Sequence, residues 1–317
     1  MNPLVSILIP VYNAERWVVE TLESAMAQTW PNKEIIVVDD GSTDLSLQLA
    51  QGYQAKNVKV VAEIHRGQTA TLNKALTHTQ GDFIQYLDAD DLLAPNKIEI
   101  QVTRLLDEDA DASATCRWER FYNDDLRTAF SPEHEDFRDY DSPIEWLIQA
   151  WNCRGTMPPV AWLFPRSVVE KAGPWNEELS LSNDTEYFTR AVLSSHKLAF
   201  CPTALGYYRS GNTSLSGRRD RKALESYFQV CQLCVEQLLA VENSTRTRRA
   251  SANLWQFFAF QTYPDATDLV QRAEEQVRQL NGTDLKLGGS SALRQVSRLA
   301  GWKTARRLQR IYYDLRY

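Results

Sequence analysis

Four short apolar runs, separated by longer amphipathic segments, occupy the first hundred residues and restrict the fold of this chain more than any other feature. The runs lie at residues 5–10, 34–39, 58–62 and 82–87. Runs without a polar face are typical of strands that are covered on both sides. The segments between them have helical character and lie at residues 14–28, 44–56 and 67–79. This alternation predicts an α/β fold with a Rossmann-like, mostly parallel sheet flanked by helices.

The remainder of the chain changes character at two points. After residue 95, helices and strands alternate around an irregular acidic stretch at residues 123–142. One predicted helix ends near residue 108, and three more lie at residues 143–151, 165–172 and 184–195. The predicted strands lie at residues 112–120, 161–164, 198–201 and 206–209. Beyond Gly217 only helices are predicted, so we expect an α/β catalytic domain at residues 1–217 and a helical C-terminal extension at residues 218–317.

Composition and charge exclude several classes of protein. With 43% hydrophobic and 24% charged residues, the chain has the composition of a soluble globular protein. No apolar stretch approaches the roughly 20 residues that span a bilayer. The five cysteines lack the dense spacing of a secreted disulfide framework, so we expect a cytoplasmic protein. The net charge of -6 argues against binding to nucleic acid.

Carboxyl groups follow the fourth apolar run, at Asp88, Asp90 and Asp91. Open α/β sheets bind ligands at the carboxyl ends of their strands, so Asp88 and Asp90 can share one divalent cation, Mn²⁺ or Mg²⁺, with a diphosphate. Such an ion neutralises the charge that develops on a diphosphate leaving group. An exposed, solvated acidic loop is the alternative, and the position at a strand end favours the metal site.

The first and second runs end in segments that suit a nucleoside. Asp40 precedes a turn at Gly41 and is placed to accept a hydrogen bond from a base N–H. The backbone of Pro10 and Val11 and the ring of Tyr12 can form a wall for the base. A capped turn without a ligand is the alternative for the second segment.

These strand ends together resemble the family 2 glycosyltransferases, which have the A-type nucleotide-binding fold. The resemblance is carried by VSILIPVYN, EIIVVDDGSTD, GQTATLNKAL and GDFIQYLDADD, and it covers roughly residues 4–217. It implies nucleotide contacts from Pro10, Val11, Tyr12, Asp40 and Asp88. It also implies that Asp88 and Asp90 hold the metal ion and the diphosphate.

The resemblance further implies a catalytic base and a loop that closes over the donor. The base of the family is the aspartate of a Glu-Asp pair that opens a helix, and AGPWNEELSLSNDTEYFTRA places Asp184 there, with Asn183 instead of the glutamate. In YYRSGNTSLSG, Arg209 and Ser214 are expected to contact the diphosphate, although a histidine that is frequent in this loop is absent. Trp162, on the implied acceptor-side strand, is expected to stack on the acceptor, with core packing as the alternative.

The C-terminal segment at residues 293–311 is basic and amphipathic. Apolar side chains, among them Trp302, recur there every three residues beside arginines, which predicts one helix with an apolar stripe. Two arrangements fit this helix. It can lie on an anionic membrane surface, at the inner face of the membrane near a lipid-linked acceptor, or it can pack its stripe on the catalytic domain.

The resemblance therefore implies a metal-dependent, inverting glycosyltransferase. Asp184 would deprotonate an acceptor hydroxyl, which attacks the anomeric carbon of a nucleoside-diphosphate sugar, with a UDP-sugar favoured. The acceptor would be a glycan, a lipid-linked or a protein hydroxyl, in cell-surface polysaccharide or glycolipid synthesis. A non-catalytic nucleotide-sugar-binding protein is the alternative that Asn183 leaves open. A nucleotidyltransferase is disfavoured because the loop VYNAERW has no glycine.

Overall fold

The computed structural model of this protein describes residues 2–54, 58–131, 137–153, 157–211 and 217–314. These residues form nine strands and twelve α-helices. The strands are β1 (Val5–Val11), β2 (Lys33–Asp39), β3 (Val58–Ala62), β4 (Phe83–Tyr86), β5 (Leu92–Leu93), β6 (Ala112–Tyr122), β7 (Asp125–Phe130), β8 (Trp162–Pro165) and β9 (Lys197–Ser210). The helices are α1 (Val18–Met26), α2 (Ser46–Gln51), α3 (Gln68–Leu76), α4 (Lys97–Leu106), α5 (Pro143–Cys153), α6 (Arg166–Ala172), α7 (Asn183–Ser194), α8 (Arg221–Val241), α9 (Thr245–Thr262), α10 (Thr267–Gln279), α11 (Ser291–Ala300) and α12 (Trp302–Asp314).

The strands form one sheet in the order β3-β2-β1-β4-β8-β6-β9-β5, with β7 paired to β6. The strands of the first half, β3, β2, β1 and β4, are all parallel, as predicted. Antiparallel pairs join β8 to β4 and β6, β7 to β6, and β5 to β9, whereas β6 and β9 are parallel. Helices pack on the sheet, so the predicted α/β class with a helical C-terminal extension is confirmed.

The register of the parallel half brings the predicted site segments to one edge of the sheet. Val11, at the end of β1, pairs with Asp39, at the end of β2, and β4 lies on the other side of β1. The segments that begin at Tyr12, Asp40 and Asp88 therefore leave the carboxyl ends of adjacent strands. This is the edge where open α/β sheets bind their ligands.

Two sequence predictions for the second half of the sheet are wrong. The late strands expected at residues 198–201 and 206–209 are one strand, β9, whose register against β6 shifts where Pro202 interrupts the pairing. The stretch at residues 123–142 is not wholly irregular, since it contains β7. A two-residue turn at Asn123 and Asp124, both with a φ of 55°, joins β7 to β6. The charged and exposed side chains of β7 conceal it in the sequence.

One hydrophobic core extends from the sheet into the C-terminal extension. Leu8 and Ile9 of β1 belong to the same cluster of buried side chains as Leu238 of α8 and Trp255 of α9. Helix α8 packs on α7, and α9 packs on α5. The division expected at residue 217 therefore separates two segments that share a core.

The basic C-terminal segment forms two helices rather than the single helix predicted. They are separated at Gly301, whose φ of 83° is a conformation that favours glycine. The ring of Trp302 packs edge-on against Phe260 and Tyr263, and Ala305 is fully buried. The apolar stripe therefore packs in part on the end of α9. Among the described residues, no helix is long and apolar enough to cross a membrane.

Candidate functional site

The loop after β4 brings three carboxyl groups to the carboxyl edge of the sheet. Asp91 is fully buried, and its carboxylate accepts a hydrogen bond from the backbone N–H of Arg209 (2.8 Å). Asp88 and Asp90 are partly exposed. The amide Nε2 of Gln68 donates to Oδ1 of Asp88 (3.0 Å). Asp91 thus anchors the loop, while Asp88 and Asp90 keep contact with the surface.

Asp184, the predicted catalytic base, lies in the first turn of α7 within electrostatic range of this loop. Burial raises the pKa of Asp184. Burial, together with the charges of Asp90 and Asp184, raises the pKa of Asp88 to about 7. Burial, with the charges of Asp90 and Asp88, raises the pKa of Asp91 well above its usual range. Four carboxyl groups therefore share a poorly solvated region, in which a cation would favour their ionised forms.

A chain of amide groups links this loop to α7. The side-chain N–H of Asn183 donates to Oε1 of Gln68 (3.3 Å), and the amide of Gln68 donates in turn to Asp88. Asn183 is only 6% exposed. The sequence identified Asn183 as a replacement for a glutamate and gave no role to Gln68. In the structure, the neutral amide of Asn183 orients Gln68 toward Asp88 without adding a negative charge.

The carboxylates at the end of β4 fit a hard divalent cation. Asp88 and Asp90 offer the oxygen ligands that Mg²⁺ and Mn²⁺ prefer. The part of the chain that the structure describes contains no group of three or more His, Cys, Asp or Glu residues arranged to hold a metal ion. A cation at this place would therefore have few protein ligands and would complete its shell with diphosphate oxygens and water, as Mg²⁺ does at phosphate sites.

Arg209 does not face a diphosphate, which corrects the sequence prediction. Its side chain is 1% exposed, and its two terminal nitrogens pair with Glu20 (2.8 Å) and Asp124 (2.5 Å). Its Nε donates to the backbone carbonyl of Asp90 (2.7 Å), and its guanidinium lies 4.6 Å from the ring centre of Phe121. Because every nitrogen of this buried guanidinium has a partner within the protein, the group does not reach a substrate. It instead fixes the backbone of the loop after β4 against α1 and the turn between β6 and β7.

The loops after β1 and β2 are held together by polar contacts. The backbone N–H of Asn13 donates to Oγ of Ser42 (3.0 Å), and its side-chain oxygen accepts from the N–H of Thr43 (2.8 Å). Tyr12 is 46% exposed, and its ring stacks on His65 with 4.3 Å between ring centres and 24° between planes. This pair forms an aromatic surface at the edge of the sheet where a base is expected.

Asp40 organises the segment that carries His65. Its carboxylate accepts hydrogen bonds from the N–H groups of Arg66 (2.8 Å) and Gly67 (2.9 Å) and lies 2.9 Å from Nδ1 of His65. Its own N–H donates to the carbonyl of Val11 (2.8 Å). Asp40 is 3% exposed, so its visible role is to position the aromatic surface. Its contact with a base stays a prediction.

Two other nucleotide contacts and one diphosphate contact were expected at Pro10, Val11 and Ser214. Pro10 and Val11 are buried within β1, so only their backbone can border a nucleotide. Ser214 lies outside the described residues.

Trp162 is a core residue, and its expected contact with an acceptor is wrong. The side chain is fully buried. Its ring packs edge-on against Trp146 and stacks on Phe164 and Phe188, with centres 5.1 to 5.6 Å apart. Its Nε1 donates to the carbonyl of Met157 (3.3 Å). The core alternative is therefore correct.

The C-terminal extension supports the segment that carries the predicted base. Oγ of Ser226, in α8, accepts hydrogen bonds from the backbone N–H groups of Ser180 (2.8 Å) and Leu181 (3.3 Å), just before α7. Ser226 is 6% exposed. No local pattern reveals this role, because the partners are separated by 45 and 46 residues. Helix α8 thus helps to position Asp184.

Comparison with known sequences extends these observations. The sequence profile of glycosyl transferase family 2 matches residues 6–172. The chain is 31% identical to the putative glycosyltransferase EpsH of Bacillus subtilis over 232 residues, which are 71% of this chain and 66% of EpsH, just under two thirds of that relative. It is 35% identical to glycosyltransferase GlyG of Streptococcus pneumoniae over 223 residues, which are 68% of this chain and 73% of GlyG.

Solved structures share the fold of the chain. The crystal structure of S. aureus TarS 1–349 in complex with UDP-GlcNAc matches with a TM-score of 0.72 at 18% identity, over 98% of this chain and 91% of that one. Mannosyltransferase PcManGT from Pyrobaculum calidifontis, in complex with GDP-Man and Mn²⁺, matches with a TM-score of 0.57 at 18% identity, over 96% and 84% of the two chains. At these identities the likeness concerns the fold alone, and it confirms the predicted A-type fold.

Proposed function

Because this chain belongs to glycosyl transferase family 2, we propose that it moves a sugar from a nucleoside-diphosphate sugar to an acceptor hydroxyl, with a divalent metal and with inversion at the anomeric carbon. The observation that carries the proposal is the grouping of Asp184 with Asp88 and Asp90 in one poorly solvated region. This grouping joins a carboxylate that can accept a proton to a pair that can hold a cation beside a leaving diphosphate.

Asp184 acts as the general base. Its ionised carboxylate accepts the proton of the acceptor hydroxyl while the hydroxyl oxygen bonds to the anomeric carbon and the bond from that carbon to the diphosphate oxygen breaks. Attack on the face opposite the diphosphate inverts the anomeric centre. A Mn²⁺ or Mg²⁺ ion held by Asp88 and Asp90 would neutralise the charge on the departing diphosphate. Arg209, through its bond to the Asp90 carbonyl, keeps the two carboxylates in place.

A UDP-sugar is the donor that we favour. The stacked rings of Tyr12 and His65 offer a flat surface for a base, and the Asp40 carboxylate lies against His65. TarS, whose fold matches over 98% of this chain, was solved with UDP-GlcNAc. We propose a glycan, lipid-linked or protein hydroxyl as acceptor, in the synthesis of a cell-surface polysaccharide or a glycolipid.

Release of UDP from UDP-sugars, measured with Mn²⁺, with Mg²⁺ and with a chelator, tests this function. We expect metal-dependent release by the wild type and a loss of about 10²- to 10⁴-fold in Asp184→Asn, since the variant lacks a general base. UDP should still raise the Tm of that variant, because binding does not need the base. Asp284→Asn, a change at an 83% exposed side chain of the extension, is the control and should keep wild-type turnover.

Two observations favour a second candidate, a non-catalytic nucleotide-sugar-binding protein. Asn183 stands where the family carries a glutamate, and Arg209 is withdrawn from the site. Stabilisation of the wild type by UDP without release of UDP from any donor would identify this second function. Equal release of UDP by the wild type and by Asp184→Asn would show that Asp184 is not the general base.

A further inference from the structure

The end of the chain exposes aliphatic side chains that the proposed active site does not use. Leu299, in α11, is 83% exposed, and Leu308 and Ile311, in α12, are 49% and 54% exposed. Of the eleven large apolar side chains exposed in the described part of the chain, four lie within residues 299–312. Single exposed apolar residues are ordinary, whereas a concentration of them indicates an interaction surface.

Helix α12 has an inner and an outer face. Trp302 packs against aromatic rings of α9 and its end, and Ala305 is fully buried, so both lie on the inner face. Because an α-helix has 3.6 residues per turn, side chains three positions apart drift around it by about 60° at each step. The apolar stripe therefore passes from the inner face at Trp302 to the outer face at Ile311. Leu308 lies on the outer side with Ile311. Arg307 is exposed and lies at the border of the two faces, since its guanidinium is 5.4 Å from the centre of the Tyr263 ring.

The same segment is cationic, while the rest of the chain is acidic. Residues 291–317 contain seven Lys or Arg and one Asp, whereas residues 1–290 contain 28 Lys or Arg and 40 Asp or Glu. Arg298 and Arg307 are exposed, and neither forms an ion pair with another described residue. Cations beside exposed aliphatic side chains are the combination that binds anionic lipid surfaces.

We propose that Arg298, Leu299, Arg307, Leu308 and Ile311, here called the C-terminal docking surface, bind the surface of an anionic lipid bilayer. The aliphatic side chains enter the interfacial region, and the guanidinium groups contact lipid phosphates. A nucleic acid would engage the cations and leave the aliphatic side chains in water. The acidic remainder of the chain is repelled by the lipid, which orients the protein with this surface toward the bilayer.

This inference deepens the proposed function, because a membrane-bound chain would act on the lipid-linked class among the three proposed acceptor classes. Only this choice of acceptor rests on the proposed function, whereas binding to the bilayer does not. Binding to vesicles and release of UDP are separate measurements. If the chain releases UDP but does not bind vesicles, the membrane inference is wrong and the proposed function stands. If the chain binds vesicles but does not release UDP, the proposed function is wrong and the C-terminal docking surface stands.

Co-sedimentation of the full chain with vesicles tests the C-terminal docking surface. The probes are vesicles of pure phosphatidylcholine and of an equal mixture of phosphatidylcholine and phosphatidylglycerol. We expect binding to the mixed vesicles, little binding to the neutral ones, and weaker binding as salt is added. Leu308→Ser with Ile311→Ser should weaken binding on the order of tenfold, since two half-exposed aliphatic side chains are lost. Arg298→Gln with Arg307→Gln should weaken it by a similar factor at low salt.

The matched control is Leu106→Ser with Val241→Ser, which removes two side chains that are each 58% exposed from α4 and α8. It should bind like the wild type, and circular dichroism checks that every variant is folded. Equal binding to neutral and anionic vesicles, or unchanged binding of both paired variants of the surface, overturns the proposal. A dimer that dissociates on Leu308→Ser with Ile311→Ser also overturns it, because the occupant would then be a second copy.

Discussion

We expect Asp88→Asn to stabilise the metal-free protein at pH 8 while it abolishes turnover. Burial and the charges of Asp90 and Asp184 raise the pKa of Asp88 from 3.8 to about 7. This difference disfavours the ionised side chain in the folded protein by about 4 kcal/mol, of which about half remains once its partial exposure is considered. The asparagine oxygen can still accept the hydrogen bond from Gln68, so the substitution removes a charge and little else.

The stabilisation by Asp88→Asn should increase as the pH rises. Because the pKa of Asp88 is raised in the folded state, its carboxyl has no effect on stability well below pH 3.8, where it is protonated in both the folded and the unfolded state. Stability is then lost as the pH rises from the unfolded pKa of 3.8 through the folded pKa of about 7. Asparagine undergoes no such loss. The free energy of unfolding of the variant should therefore exceed that of the wild type by less than about 1 kcal/mol near pH 4.5 and by about 2 kcal/mol near pH 8.

Thermal unfolding with a chelator at both pH values measures this difference, at about 2 to 4 °C for each kcal/mol. Asp107→Asn, at an exposed residue after α4, is the control and should match the wild type. Mn²⁺ should raise the Tm of the wild type more than that of Asp88→Asn, because the ion binds the folded protein. If Asp88→Asn proves no more stable than the wild type at pH 8 in chelator, the account of the carboxylate cluster is wrong.

Arg209→Met should lower the free energy of unfolding in urea titrations by about 2 to 3 kcal/mol, because Glu20, Asp124 and the Asp90 carbonyl lose the guanidinium that they share. Arg209→Lys should not restore it, since an ammonium lacks the fork of donors. Ser226→Ala should lower kcat for UDP release about fivefold with little change in donor KM, and Ser226→Thr should recover most of it. UDP release should also fall on acidification at a higher pH than an ordinary aspartate would give, because burial raises the pKa of Asp184 and only the ionised base accepts a proton. A pH–rate profile whose acid limb lies near the usual aspartate range would contradict this.

The parallel half of the sheet could be predicted because each strand is a continuous apolar run, so that burial and sequence pattern coincide. The predicted strands at residues 5–10, 34–39 and 58–62 differ from β1, β2 and β3 by at most one residue at each end. The placement of Asp88 and Asp90 at a strand end follows directly from this pattern. In contrast, β7 has exposed, charged side chains and depends on pairing with β6 rather than on burial. Nothing in its own sequence marks it as a strand.

The orientation of side chains near the site could not be read in the same way. Arg209 was predicted to face the diphosphate, yet its ion-pair partners Asp124 and Glu20 lie 85 and 189 residues away in the sequence. The aromatic ring of Trp162 is of a type that can stack on an acceptor. However, β8 lies inside the sheet between β4 and β6, and the side chain of Trp162 is buried there. The contacts of Gln68 with Asp88 and Asn183 form only when the start of α3 lies beside the start of α7. Local sequence gives the type and place of such residues, whereas the direction of each side chain is set by contacts from distant segments.

The same contacts bear on Asn183, one of the two positions at which the chain departs from the family pattern. A general base must be ionised near neutral pH, while burial raises the pKa of Asp184. A glutamate at position 183 would add a negative charge beside Gln68 and would raise the pKa of both Asp184 and Asp88 further. The neutral amide of Asn183 avoids that charge and still holds Gln68 toward Asp88. The substitution is therefore compatible with an ionised base at Asp184, and only the turnover measurement separates the transferase from a nucleotide-sugar-binding protein.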